Sequence, residues 1–338
     1  MKYFSTLLIF CLHVSTGNCQ QKAHYTQYIL NQYIINPALT GIENYIDVKV
    51  SHRQQWTGLD GAPVTSYISI QGPIAKKDYR TTATSFRVPG ENPRGNAYWD
   101  NYTAAEPHHG IGIQFIKDVT GPLSNVGAYA TYAYHIGISP RTNLAAGMGV
   151  GLTRFGLDAS KLEFNTTVDP VVYTSNLINT TKLDFNAGLY LYSSDYFIGL
   201  SAQQLIPSRI DFSNNIITTQ TGKMVPHLFA TAGYRFLLNE NFNLTSSIML
   251  KYIQPLAIQP ELNLKLQYND LLWTGASYRY KDGFAAMLGI NVLNFFNISY
   301  SYDYSTSSLS TYTKNTHEFI LGFLLNNKYA DTCPKAFW

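Results

Sequence analysis

The sequence predicts an all-β fold: a transmembrane antiparallel β-barrel of about fourteen strands with an N-terminal extension. Three observations carry that expectation. An apolar rhythm of period two recurs along most of the chain. Only 13% of residues are charged, beside 26 Tyr and 18 Phe. The N-terminus reads as a secretory leader, and no later run approaches the roughly 18 consecutive apolar residues that a spanning helix needs.

The rhythm is clearest between Pro260 and Tyr268, where Leu262, Leu264, Leu266 and Tyr268 alternate with Glu261, Asn263, Lys265 and Gln267. Leu183 to Tyr192 and Phe296 to Asp303 repeat it, and Leu228 to Leu238 and Phe242 to Tyr252 follow. One face of each strand is apolar and the other polar, which also suits a soluble sandwich. Length separates the two readings. Many segments run about 9 to 12 residues, as a tilted strand crossing a bilayer requires. Fourteen segments begin near Tyr45, Val64, Gly110, Val126, Asn143, Lys182, Tyr196, Pro226, Phe242, Pro260, Leu271, Gly283, Phe296 and His317. An even count closes the barrel with both ends of the sheet on the periplasmic side. Connections after even strands should then be short turns, as at Ser139 to Thr142, Ser194-Asp195, Asn239 to Asn241 and Asn269-Asp270. The longer spans Gly156 to Thr181, Gln203 to Val225 and Ser305 to Thr316 follow odd strands. One connection departs from this parity: Pro73 to His109 is long and polar, and reads as an insertion on the periplasmic rim.

Charge supports export to the outer membrane. A typical soluble domain is roughly 25% charged, so a low-charge, Tyr-rich chain fits a surface facing lipid between two aromatic girdles. A formal net charge of +3 gives no field with which to hold nucleic acid. Lys2, the apolar stretch Leu7 to Val14 and the small, polar Ser15 to Cys19 form the leader, with the mature chain expected from about Gln20. Lipidation of Cys19 is the competing reading, but Thr16-Gly17-Asn18 lacks the expected Leu and the small residue before the Cys. Without the leader, Cys333 is the remaining thiol unless Cys19 is kept, so no disulfide framework is expected. The organisation expected is residues 1–19 leader, 20–44 an extension that fills the lumen or hangs in the periplasm, 45–325 barrel with an inserted segment at about 75–109, and 326–338 tail.

Catalytic and metal chemistry find little support. His108-His109 could suggest a metal pair, but adjacent residues of an extended chain point to opposite sides, and solvated loop histidines are expected. Gly147-Met148-Gly149-Val150-Gly151 imitates a phosphate loop inside a strand pattern with no helix following, so relief of crowding on the barrel wall is the better reading. Asp118, Glu163, Asp169 and Asp303 could pair into carboxylate dyads, but sequence does not set their separations and no nucleophile motif accompanies them, so lumen or loop polarity is the better reading. Glu261, Lys265, Asp184, Arg235, Lys251 and Arg279 fall on the inward parity, where opposite charges can pair. No catalytic, cofactor-binding or metal-ligating residue is expected.

An ordered set of motifs carries a family resemblance. Tyr25-Thr26-Gln27-Tyr28, Asn31 and Ile35-Asn36-Pro37-Ala38-Leu39-Thr40-Gly41 come first, followed by Arg53-Gln54-Gln55-Trp56 with Gly61-Ala62-Pro63-Val64-Thr65. Asp118-Val119-Thr120-Gly121-Pro122, Asp169-Pro170, Gly188 to Ser193, Leu271-Leu272-Trp273 with Ser277-Tyr278-Arg279, Tyr300 to Tyr304 and His317-Glu318 continue it. Together they resemble the PorP/SprF family of type IX secretion system outer-membrane proteins, from Tyr25 to about Leu325, with the segment from about Ala75 to His109 departing from the pattern. The resemblance implies a non-enzymatic role in which the barrel helps to export a partner protein such as an adhesin, or holds it at the surface. In some members this supports gliding. The implied partners are outer-membrane lipid, the adhesin or its terminal domain, and periplasmic secretion or peptidoglycan-associated subunits. The alternative is a channel for small or hydrophobic solutes. The motif positions expected to matter, all structurally, are Asn36, Pro37, Gly41, Arg53, Trp56, Gly61, Pro63, Asp118, Gly121, Pro122 and Asp303. Asn36-Pro37 before Gly41 suits a chain that bends as it enters the barrel. Trp56 is placed at a lipid interface, and Gly61-Ala62-Pro63 at a hairpin turn.

Overall fold

Period-two alternation becomes a closed wall in the computed structural model, which describes residues 25–74, 102–161, 177–210, 222–254, 256–269, 271–292, 295–306, 313 and 315–326. The leader, most of the 75–109 segment, Glu163, Asp169 and the tail beyond 326 lie outside the described residues. The first strands are β1 (Ile46–Gln54), β2 (Val64–Ile74), β3 (His108–Thr120), β4 (Leu123–Ser139), β5 (Thr142–Asp158), β6 (Leu177–Tyr192) and β7 (Tyr196–Gln203). Two short strands, β8 (Arg209–Ile210) and β9 (Gly222–Lys223), pair only with each other. The wall resumes with β10 (His227–Asn239), β11 (Phe242–Ile253), β12 (Gln259–Tyr268) and β13 (Leu272–Arg279). It ends with β14 (Gly283–Val292), β15 (Phe296–Ser305) and β16 (Thr316–Leu325). Fourteen strands close the barrel, each beside its sequence neighbour except that β7 meets β10 and β1 meets β16. All pairings are antiparallel, so both edges are satisfied as a membrane demands.

The two faces of the wall differ sharply. Outward positions carry Ile111, Phe115, Leu152, Leu189, Leu200, Leu264, Leu288 and Phe319, all exposed, which is the composition of a lipid-facing belt. Inward positions carry buried polar groups. Glu261, Lys265, Asp184, Arg235, Lys251 and Arg279 are all among them, on the face that their parity indicated. Short turns join β4 to β5, β6 to β7 and β10 to β11 on one rim, which this asymmetry assigns to the periplasm.

Strand length differs from expectation on one side. β4 and β5 each have 17 residues and β6 has 16, whereas β13 has 8 and β12, β14, β15 and β16 have 10 each. The β4 to β6 hairpins therefore continue pairing past the membrane level, because nothing in the ladder forces a strand to stop where lipid stops. His108 also departs from the loop reading: it opens β3, points inward and is buried, while His109 points outward.

Candidate functional site: the filled lumen

Residues 25–45 occupy the barrel interior. The segment lacks a helical apolar period, and it folds as three short 3-10 turns at Thr26–Leu30, Gln32–Ile34 and Pro37–Leu39. Asn36 caps the last turn, its side chain accepting from the Ala38 N–H at 2.9 Å, and Pro37 supplies a fixed φ at the first position. A chain this rich in Asn, Gln, Thr and Tyr cannot bury itself, so its polar groups are satisfied by the wall.

Near the external end, the Thr26 N–H donates to Glu318 Oε2 at 2.9 Å and the Gln27 amide donates to the Glu318 carbonyl at 2.9 Å. Midway, the Asn31 amide donates to Ser69, Asn263 donates to the Tyr28 hydroxyl, Gln114 donates to the Tyr33 carbonyl, and the Tyr33 hydroxyl meets Thr131 at 2.6 Å. Burial raises the pKa of the Tyr28 and Tyr33 hydroxyls, so both stay neutral in the lumen. Lower down, Gln203 donates to the carbonyls of Ile34 and Ile35, each at 3.0 Å, and Ser201 donates to the Ile35 carbonyl at 2.8 Å. His135 donates to the Thr40 carbonyl at 2.8 Å and stacks on His108, with ring centroids 4.5 Å apart.

Apolar side chains fill the space between these bonds. Tyr28, Ile29, Ile34 and Ile35 pack with Tyr67, Tyr129, Met249, Trp273 and Met287 from the wall. Ala38, Leu39 and Ile42 pack with Tyr190, Tyr192, Phe197 and Tyr102, the last lying just before β3. The end of the inserted segment thus closes over the periplasmic end of the filling: Asn143 donates to the Tyr102 hydroxyl and accepts from the Ala105 N–H.

Where the filling presses hardest, the wall is glycine. Gly41 has φ +77°, and a Cβ there would stand 2.5 Å from Gly110 Cα; a Cβ on Gly110 would stand 1.9 Å from the Thr40 carbonyl oxygen. Gly147, inside β5 with no helix following, faces Pro37 and Ala38.

A charged cluster ties the segment to the barrel seam. Arg53 of β1 donates to Asp303 of β15 at 2.9 Å and to Glu318 of β16 at 3.0 Å, and it also donates to the Thr26 hydroxyl, which donates in turn to Asp303. Arg279 extends the network to Glu261 at 3.2 Å and Asp282 at 2.7 Å. Fixed cations beside buried carboxylates make a clamp, with every charge aimed at another side chain rather than at open space.

The motif positions divide between this site and the external rim. Asn36, Pro37, Gly41, Arg53 and Asp303 converge in the lumen, where Asn36 also donates to the Leu189 carbonyl at 3.1 Å. Gly61 and Gly121, both with positive φ, meet at the rim, where the Gly121 N–H donates to the Gly61 carbonyl at 2.8 Å. Pro63 accepts from the Gln55 N–H and Pro122 from the Asp158 N–H. Asp118 accepts from the Thr65 hydroxyl at 2.6 Å. Trp56, at φ 52°, follows the end of β1, and its N–H donates to Thr316. Thr26 and Glu318 stand in motifs that carry the family resemblance and His108 in a pair weighed for metal, but nothing in the sequence joins them in the lumen, and Gln203 and His135 have no motif to mark them.

The sequence profile of the type IX secretion system membrane protein PorP/SprF matches residues 18–323. The chain belongs to the PorP/SprF family. Its family and its closed barrel make it an outer-membrane component associated with type IX secretion, and both are non-enzymatic in type. No curated protein matches the chain by sequence. Among solved structures it is similar to the Acinetobacter baumannii outer membrane protein Omp33 (8% identity, TM-score 0.47, covering 85% of this chain and 100% of that one). It is also similar to the CymD monoaromatic hydrocarbon channel (9%, TM-score 0.47, covering 87% and 91%) and to the Ralstonia pickettii toluene transporter TbuX (10%, TM-score 0.44, covering 85% and 91%).

Within this PorP/SprF chain, Asn36→Ala removes a turn cap and a bond to the wall together. It is expected to lower stability by about 1–2 kcal/mol. Urea unfolding in detergent checks this, and an unchanged midpoint refutes it.

Proposed function

We propose that this barrel helps to export a partner protein such as an adhesin, or holds it at the cell surface, without enzymatic chemistry and without conducting the partner through its lumen. In this reading residues 1–19 are a removed signal peptide. The external connections and rim bind the partner, and the periplasmic rim meets secretion or peptidoglycan-associated subunits. Attachment of an adhesin would link the protein to gliding. The observation that carries the proposal is the lumen itself, filled by residues 25–45 through hydrogen bonds around its circumference and locked by Arg53 to Asp303 and Glu318. A passage so occupied suits a scaffold better than a solute channel. The motif positions then act structurally: Asn36, Pro37 and Gly41 seat the filling, Arg53 and Asp303 clamp it, and Gly61, Pro63, Asp118, Gly121 and Pro122 shape the rim, with Trp56 at the interface.

Purification from the native envelope in mild detergent, with identification of co-eluting proteins by mass spectrometry, tests the proposal. A large secreted protein or a periplasmic secretion subunit is expected. Deletion of residues 76–100 examines the insertion while leaving Tyr102 and β3 in place. It is expected to reduce recovery of the periplasmic partner. A solitary protein that conducts ions in planar bilayers would refute the scaffold and favour the channel.

A further inference from the structure

Along the described strands of the barrel wall, the outward face is nearly free of charge, and its exceptions are placed together. Lys117 of β3 and Arg154 of β5 are both exposed and point to the lipid side, while Asp158, the last residue of β5, is held by Ser160 and Lys161. Lys117 pairs in register with Val126 of β4, and Val126 with Arg154. The two cations therefore share one row, two strand spacings or roughly 10 Å apart. Neither makes an ion pair among the described residues.

The row marks a boundary. Below it lie Phe115, Ala128 and Leu152, then Ile113, Ala130 and Val150, an unbroken apolar strip with Phe115 51% and Leu152 55% exposed. Above it the outward row is Val119, Ser124, Gly156 and Asn179, in which Val119 is the one large apolar side chain. The apolar strip stops at this row, on the side of the external rim, which sets the row at the headgroup level of the outer leaflet. An outward Lys or Arg costs little at that depth, roughly 0–1 kcal/mol, against about 2–4 kcal/mol at the midplane. Tolerance accounts for the depth. It does not account for two cations sharing one row over one apolar strip while the outward faces of the other barrel strands carry no Lys or Arg among the described residues.

We propose that Lys117 and Arg154 bind the phosphate of a phosphorylated outer-leaflet glycolipid of the lipid A type, whose acyl chains lie along the β3 to β5 strip. The short side chain of Val126 leaves room between them. From either side the guanidinium fork and the ammonium can reach one phosphate group, in charge-assisted hydrogen bonds strengthened by the low dielectric of the interface. The site lies on the outside of the wall, apart from the lumen, and does not depend on how the protein serves secretion.

Native mass spectrometry of the full-length protein in detergent, titrated with bis-phosphorylated lipid A, dephosphorylated lipid A and inorganic phosphate, tests the proposal. The wild type is expected to retain lipid A, and K117Q/R154Q to bind it about thirtyfold more weakly, at about 1 kcal/mol per cation. K281Q, which changes an exposed turn lysine, should bind as the wild type does. Dephosphorylated lipid should bind wild type and double variant alike. Since both side chains point out of the barrel, the double variant should show wild-type heat-modifiable migration on a gel. Equal lipid A affinity in wild type and folded double variant overturns the proposal. So does binding of inorganic phosphate as tight as that of the lipid, which would assign the pair to a free anion.

Discussion

Replacing Gly110 with valine is expected to expel residues 25–45 from the lumen and turn a closed barrel into a conducting one. A Cβ at this position meets the Thr40 carbonyl oxygen at 1.9 Å and Gly41 Cα at 2.8 Å, and both are backbone atoms with no rotamer to relax into. The wall cannot yield either, since Gly110 is paired with Pro73 on one side and Ala133 on the other. The outward face of β3 is unchanged, so the barrel should still insert and the filling should leave. Single-channel recording in planar bilayers should show stable open conductance, and limited proteolysis should cut within residues 25–45. Gly149→Ala is the control, because its Cβ comes no nearer than 3.3 Å to any neighbour. Wild-type conductance and protection in Gly110→Val would show that the filling does not close the lumen.

Loss of the Arg53 guanidinium is expected to cost about 3–5 kcal/mol, the range for breaking a buried ion pair from one side. Arg53→Met leaves Asp303 and Glu318 facing each other's field with Arg279 as the nearest remaining cation, 3.9 Å from Asp303. It also removes one of the bonds on the Thr26 hydroxyl and so loosens the hold on the filling. The loss should be largely recovered in the triple variant Arg53→Met, Asp303→Asn, Glu318→Gln, because the damage comes from uncompensated carboxylates rather than from the missing pair itself. Urea unfolding in detergent, followed by tryptophan fluorescence, measures both variants. A single variant within 1 kcal/mol of wild type, or a triple variant no better than the single, would contradict the clamp.

The wall was legible because lipid and lumen impose opposite chemistries on alternate residues. In a stretch such as Leu262 to Tyr268 nothing else competes with that rhythm, and the strand starts fall within a few residues of those found in the structure. The two-residue strands β8 and β9 were missed because so short a pairing leaves no period to detect. Strand ends were also poorly visible, since β4 and β5 continue beyond the membrane with residues that suit either solvent or sheet.

The contents of the lumen were harder to read, for a reason of distance. Arg53 and Glu318 are 265 positions apart, and parity places both inside without saying which partner either one finds. Asn36-Pro37 read as an entry bend, whereas the structure uses it to seat a turn against the wall. One signal was available: Gly110 of β3, Gly147 of β5 and Gly188 of β6 fall on one inward row, with Ala133 of β4 between the first two, and each glycine lies against the filling. A run of inward glycines is the imprint of something pressed against the wall from within.

Thr26 is bound to Glu318 across 292 positions of sequence, and Arg53 completes the contact from the other side of the seam. The first described turn of the chain and its last strand are thus one knot, tied where the cylinder shuts. Contacts of such long range form late. A chain still being threaded into the membrane holds only one end of the knot, so the cylinder stays unbuttoned until its final strand arrives. The bonds of Thr26 to Glu318 and Asp303 can form only as the wall shuts, so the stopper is fastened last at the place where the cylinder closes.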